Sequence, residues 1–104
     1  MYRVTTPTHT FTLPIDTSTC DEIQVTYKQK GVKLVKHYQD GVLPSGMTLD
    51  EKDVIVRLEQ EETKLFEPGM AHAQIRVLDN ANNAMASQIF SVVINQVLSE
   101  DILS

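Results

Sequence analysis

Apolar and polar residues alternate along much of the chain, which is the pattern of strands that bury one face. The alternation is clearest over residues 22–29, where Ile23, Val25 and Tyr27 share one face and polar side chains occupy the other. Residues 9–16 repeat the pattern. Because successive side chains of a strand point to opposite faces, both segments are predicted to be half-buried strands.

Turn-forming residues separate such segments at intervals of roughly ten residues, which is typical of an antiparallel sandwich or barrel. Gly31 lies in the first tight turn and predicts a hairpin, while Pro14 predicts that the first strand lies at a sheet edge or stops there. The segment MTLDEKD is compatible with a short strand that ends in a turn. The predicted strands, about seven in all, occupy residues 9–16, 22–29, 32–38, 47–50, 53–58, 71–78 and 85–97.

The last predicted strand, residues 85–97, has apolar residues on both parities. Phe90, Val92 and Ile94 form one set, and Ile89 belongs to the other. A β-bulge, which inserts one residue into a strand and reverses its parity, would reconcile the two sets. The alternative is a strand whose two faces are both covered.

One stretch breaks the strand pattern, from Glu59 to Leu65 (EQEETKL), and is rich in good helix formers. Seven residues are too few for a helix that stands alone, so this turn has to dock on a packed body, with Leu65 or Phe66 as its anchor. The predicted fold is therefore an all-β, immunoglobulin-like antiparallel sandwich with one short helical turn between its sheets. The acidic residues of this turn are interpreted as a solvated face, with a metal or partner contact as the alternative.

The length of 104 residues predicts one domain: an extended N-terminal arm over residues 1–8, a sandwich over 9–97 and a C-terminal tail over 98–104. The formal net charge of −5 argues against nucleic-acid or anionic-membrane partners. Cys20, in a polar loop, is the only cysteine, which excludes an internal disulfide and fits a reducing compartment. No secretory signal or membrane span is predicted.

No constellation of catalytic residues emerges from the sequence, and no cofactor or metal is predicted. His9, His37 and His72 fall on three different predicted strands and are interpreted as outward-facing. A zinc site would require those strands to converge, and the spacing does not indicate that they do.

Both termini carry apolar residues that a small sandwich has little reason to expose. The candidate partner-binding residues are Tyr2, Val4, Leu98, Ile102 and Leu103. A partner chain that buries the two terminal segments, or adds them as strands, would account for these side chains. Frayed termini are the alternative.

Four segments carry a resemblance: PTHTFTLPIDTS, EIQVTYKQKG, VIVRLEQEETKLFEPG and AQIRVLDNANNAMASQIFSVVINQVL. Together they resemble small virion structural proteins encoded by tailed phages and prophages of gut Firmicutes. The strand, LxQEET and strand arrangement is also similar to the immunoglobulin-like N-terminal domains of phage baseplate and tail proteins.

The resemblance implies a non-enzymatic virion component on the capsid surface, the neck or the tail, assembled in the cytoplasm of a bacterial host. The implied partners are other virion proteins, either symmetric copies of the chain or a major capsid or tail protein. The alternative function is a carbohydrate- or ligand-binding adhesion module on a virion.

Overall fold

The computed structural model describes residues 1–104 and contains eight strands, a single-turn 3-10 segment at Thr17–Thr19 and one short helix. The strands are β1 (Thr8–Thr12), β2 (Cys20–Gln29), β3 (Val32–Gln39), β4 (Met47–Asp50), β5 (Asp53–Arg57), β6 (Gly69–Asp79), β7 (Ala84–Ala86) and β8 (Phe90–Ile94). The helix, α1, spans Gln60–Thr63. Tight turns close the β2–β3 hairpin, as the sequence predicts, and the β4–β5 hairpin, where the sequence is compatible with a short strand and a turn.

The strands form two antiparallel sheets packed as a sandwich, which confirms the predicted all-β class. The short sheet has the order β1-β5-β4, and the long sheet has the order β3-β2-β6, with β7 and β8 both paired to β6. This is the order of strands B-E-D and C′-C-F-G in an immunoglobulin sandwich. Strand A, which would lie beside β1, has no counterpart in the short sheet.

The core lies between the inward faces of β2 and β6 and the face of β5 that opposes them. Ile23, Val25 and Val54 are completely buried, and Tyr27 is almost so. Cys20 belongs to this core as well, because it begins β2 and is 6% exposed. The prediction that it lies in a polar loop is therefore wrong.

The last predicted strand is two strands, β7 and β8, which pair with successive parts of β6. Five residue steps from Met85 to Phe90 oppose only four steps on β6, so one residue is inserted, as the mixed parity predicted. Ser87 fills the break: its N–H donates to the carbonyl of Ile75 over 2.8 Å, and its hydroxyl accepts the Ile75 N–H over 3.1 Å.

Helix α1 carries the chain from the short sheet to the long one and closes that end of the core. Phe66, just after the helix, and Thr63 within it are completely buried. Leu65 is 52% exposed, so of the two predicted anchors only Phe66 is one. At four residues, α1 is far too short for a membrane span, and the structure contains no helix that could form one.

A buried ion pair joins α1 to the long sheet. Lys36 points inward from β3, is 5% exposed and places its Nζ 2.5 Å from Oε2 of Glu62. The other carboxylate oxygen of Glu62 accepts the N–H of Glu59 at the start of α1 over 2.9 Å. The predicted solvated face therefore holds for Glu59 and Glu61 but not for Glu62, which points toward the interior.

We expect Phe66→Ala to lower the free energy of unfolding by about 3–5 kcal/mol, because it removes a fully buried ring that closes one end of the core. Leu65→Ala is the matched control and should change stability by less than about 0.5 kcal/mol, since its side chain faces solvent. Urea unfolding followed by circular dichroism measures both. Equal losses for the two variants would contradict the assignment of Phe66 as the anchor.

Candidate functional site: the cleft beside β1

The two sheets part along one side of the sandwich and leave a cleft of about 840 Å³ between β1 and the β7–β8 edge. Its floor is formed by Tyr27, Ala73, Ile75 and Val77, which are themselves buried core residues. One wall is β1, from which Phe11 and Leu13 project. The other wall consists of Met85, Phe90 and Val92.

Apolar side chains at the mouth of the cleft are only half-buried. The rings of Phe11 and Phe90 lie 5.8 Å apart, one from each sheet, with a tilt of 51° between their planes. This spacing is within the range of aromatic pairs, so the two walls of the cleft touch through these rings. Met85 and Val92 flank this contact and are also partly exposed.

The cleft lining carries no formal charge. None of its sixteen residues is Asp, Glu, Lys or Arg, although 22% of the chain is charged. Its polar groups are a histidine, a tyrosine hydroxyl, a serine and the threonines of β1. A ligand that enters the cleft therefore meets apolar surface and hydrogen-bonding groups, but no ion-pair partner.

His9 and Tyr27 form the polar pair of the cleft. Nδ1 of His9 lies 2.7 Å from the Tyr27 hydroxyl, and the two rings are 5.5 Å apart. Burial, with a smaller contribution from the positive N-terminus, lowers the pKa of His9. Burial and the nearby Glu62 carboxylate raise the pKa of Tyr27, so this hydroxyl stays protonated and can donate to the neutral imidazole.

The prediction that His9 faces outward is wrong. His9 lies on β1 with the same parity as Phe11, so it points between the sheets. His37 and His72 are exposed on the opposite face of the long sheet, as expected, and His37 hydrogen-bonds to Glu22 over 2.9 Å. The three rings therefore do not converge, and the structure contains no group of three or more potential metal ligands.

The outer edge of β1 has no strand paired to it. Two hydrogen bonds show which residues of β1 bond to β5. The Leu13 N–H donates to the Lys52 carbonyl, and the Leu58 N–H donates to the Pro7 carbonyl. Hydrogen-bonded pairs alternate along an antiparallel ladder, so the odd-numbered residues of β1 bond to β5. The backbone groups of the even-numbered residues, which are Thr8, Thr10 and Thr12, therefore point away from the sheet.

The terminal segments predicted to bind partners lie at the α1 end of the sandwich. Tyr2, Leu98, Ile102 and Leu103 are exposed, with Leu98 completely so. Val4 is only 8% exposed because the arm turns inward there, with a backbone φ of 57°. Val4 therefore belongs to the fold and is not available to a partner.

The arm is a folded part of the domain and not a free extension. Tyr2 pairs with Asn95 in a parallel bridge next to β8. Arg3 donates from Nε to the carbonyl of Phe66 over 2.6 Å and forms an ion pair with Glu100 of the tail. The hydroxyl of Thr63 bonds to the backbone of Thr5 in both directions, each over 3.0 Å.

The tail is tied to α1 by polar contacts, while its apolar side chains stay in solvent. The amide of Gln60 bonds to both backbone groups of Leu103, over 2.7 and 2.8 Å. Lys64 donates to the carbonyl of Glu100 over 3.1 Å. These contacts use backbone and charged groups, so they leave the exposed leucines free for other contacts.

Comparisons with known proteins add no further information about the site. No family model, curated protein or solved structure matches the chain.

We expect His9 to make stability depend on pH. Its folded-state pKa lies below the unfolded value, so the unfolded chain takes up the proton first as the pH falls through 6.5. Stability should therefore decrease from pH 8 to pH 5, and this decrease should be smaller in His9→Gln. Urea unfolding of both proteins at the two pH values tests this, and equal decreases would show that His9 is not buried as the structure places it.

Proposed function

We propose that this protein is a non-enzymatic structural component that works through protein–protein contacts, in the virion of a tailed phage. The observation that carries the proposal is the cleft beside β1, where an apolar floor and an unpaired strand edge lie side by side. An extended partner segment could pair with this strand edge and place its side chains against the apolar lining.

The second support is the exposed apolar side chains of the two terminal segments. Leu98 and Leu103 of the tail project into solvent, and Tyr2 is exposed in the N-terminal arm. A part with two separate contact surfaces can join two neighbours, which is what a repeating assembly requires. The acidic surface, with a net charge of −5, favours partners other than nucleic acid.

The virion setting comes from the resemblance of four segments to tailed-phage structural proteins. Particles of a phage that encodes the chain should contain it at a fixed copy number after density-gradient purification, as measured by quantitative mass spectrometry. Absence of the chain from purified particles, with the chain left in the soluble lysate, would contradict the proposal.

A matched pair of variants connects this test to the cleft. Val92→Glu places a charge in the uncharged cleft wall and should reduce incorporation into particles at least tenfold, because the charge would have to be buried by the partner. Val42→Glu is the control, since Val42 is 68% exposed in a loop outside the cleft. Both variants have to keep a cooperative unfolding transition for the comparison to hold.

A ligand-binding adhesion module is the second candidate function, favoured by the volume of the cleft. About 840 Å³ lies within the usual range for small-molecule sites, and the lining combines apolar walls with the hydrogen-bonding pair of His9 and Tyr27. The lining fits an apolar ligand better than a carbohydrate, because sugars require many polar contacts.

The neutral dye Nile red tests this second function. A small-molecule site should bind it saturably, one dye per chain, and Phe90→Ala should weaken binding while Leu43→Ala, at an exposed loop position outside the cleft, should not. Fluorescence titration measures both. Weak, non-saturable fluorescence that is the same for both variants would remove this candidate.

A further inference from the structure

We propose that β1 accepts one extended segment of a partner polypeptide, which lies in the cleft and becomes the fourth strand of the short sheet. This inference rests on the protein–protein role proposed above and specifies what the partner contributes. It is carried by the difference in strand number between the two sheets, the chemistry of the β1 edge and the charge of the lining.

The short sheet has one strand fewer across than the long sheet. The short sheet has three strands, while the long sheet has four positions across, because β7 and β8 share the place beside β6. Neighbouring strands lie about 4.8 Å apart, so the short sheet is narrower by that distance. The cleft opens between β1 and β7–β8, which places the missing strand beside β1.

The outer edge of β1 carries none of the charges or bulges that interrupt the other edges. Edge strands are usually protected by charges, bulges or shortness. β3 carries Lys33 and the inward-pointing Lys36, β4 has four residues, and the β7–β8 edge is interrupted by its bulge. β1 reads THTFT, five residues without a charged side chain or proline, and its outward side chains are β-branched.

Backbone groups at this edge favour a polypeptide over a lipid or a small apolar molecule. The N–H and carbonyl groups of Thr8, Thr10 and Thr12 point out of the sheet along the rim of the cleft. An extended chain offers matching backbone groups at the same spacing, with alternate side chains that can enter the cleft. A lipid chain would fill the cleft but leave these groups unpaired.

The geometry favours a single segment over direct pairing of β1 with β1 of a second copy. A second copy would bring its own long sheet, and each long sheet extends one strand beyond its β1. If the two β1 strands paired antiparallel, both long sheets would lie on the same side and would compete for the same space. A free terminal segment or a long loop of a partner does not meet this obstacle.

The charge of the lining defines the sequence of the segment. All sixteen lining residues are uncharged in their usual forms apart from His9, whose pKa is lowered, so the cleft offers nothing to compensate a buried charge. The segment should therefore carry uncharged, apolar side chains at alternate positions. The chain's own C-terminal tail does not fit the cleft, because Glu100 and Asp101 are adjacent at its centre. Whichever set of alternate side chains entered the cleft, one of these two carboxylates would be buried.

A synthetic peptide tests the inference without knowledge of the natural partner. The probe is a blocked peptide of about seven residues, alternating threonine and valine, with a fluorescent label on a flexible linker. Fluorescence anisotropy should show saturable binding to the full chain. The same peptide with glutamate in place of its central valine should bind at least about tenfold more weakly, because that side chain enters the uncharged cleft.

Thr10→Pro is the decisive variant. It removes one outward N–H, and proline is tolerated on an edge strand where the lost N–H faces solvent, so the fold should persist. Peptide affinity should fall at least about tenfold, since a hydrogen bond is lost and the ring blocks close approach. Thr10→Val keeps the N–H and should bind within about twofold of the natural chain.

Three results would overturn the inference: no binding of the alternating peptide at about 1 mM, equal binding by Thr10→Pro, or a dimer of the chain that Thr10→Pro dissociates. Analytical ultracentrifugation without peptide detects the dimer. Incorporation into particles is a separate measurement, so a chain found in virions that binds no peptide would refute the strand-acceptor role alone. Peptide binding by a chain absent from virions would refute the virion role alone.

Discussion

A sheet of three strands has to cover the apolar face of a sheet that is four strands wide, and the rest of the structure depends on this mismatch. The short sheet lies over β3, β2 and part of β6, where it buries Val54 and Val56 completely. On the other side the mismatch leaves a cleft of about 840 Å³ with apolar walls. An occupant would cover the half-buried side chains at the mouth of the cleft, such as Phe11 and Phe90, and would pair with the free edge of β1.

The closed end of the sandwich shows how the fold remains ordered despite its open side. Phe66 fills the end of the core, and Glu62 links the start of α1 to the buried Lys36 of the long sheet. Arg3 donates to carbonyls at the end of the helical turn, so the N-terminal arm is held by the same end. Where the strands stop, side chains take over the hydrogen bonds to the backbone. The amide of Gln29, for example, bonds to both the N–H and the carbonyl of Glu67. The polar groups named here are therefore paired at this end, whereas the open flank presents the unpaired edge of β1.

Much of the fold could be predicted because strand alternation is a local signal. The parity of Ile23, Val25 and Tyr27, the tight turns and the bulge between β7 and β8 can all be read from neighbouring residues. The cleft could not, because it depends on which strands lie at the sheet edges, and pairing order is not local. His9 illustrates the difference: its shared parity with Phe11 indicates that it faces inward, but its partner Tyr27 is known only from the packing of the two sheets. Leu65 and Phe66 are adjacent and both apolar, so sequence alone could not show which one enters the core.

Amide hydrogen exchange of the isolated chain, resolved by residue with NMR, tests the central claim of an open flank most directly. The open flank predicts fast exchange at Thr8, Thr10 and Thr12, whose N–H groups point away from the sheet, and slow exchange at Phe11 and Leu13, which bond to the short sheet. Protection of the three threonine amides equal to that of Phe11 would contradict it, because β1 would then already have a strand beside it.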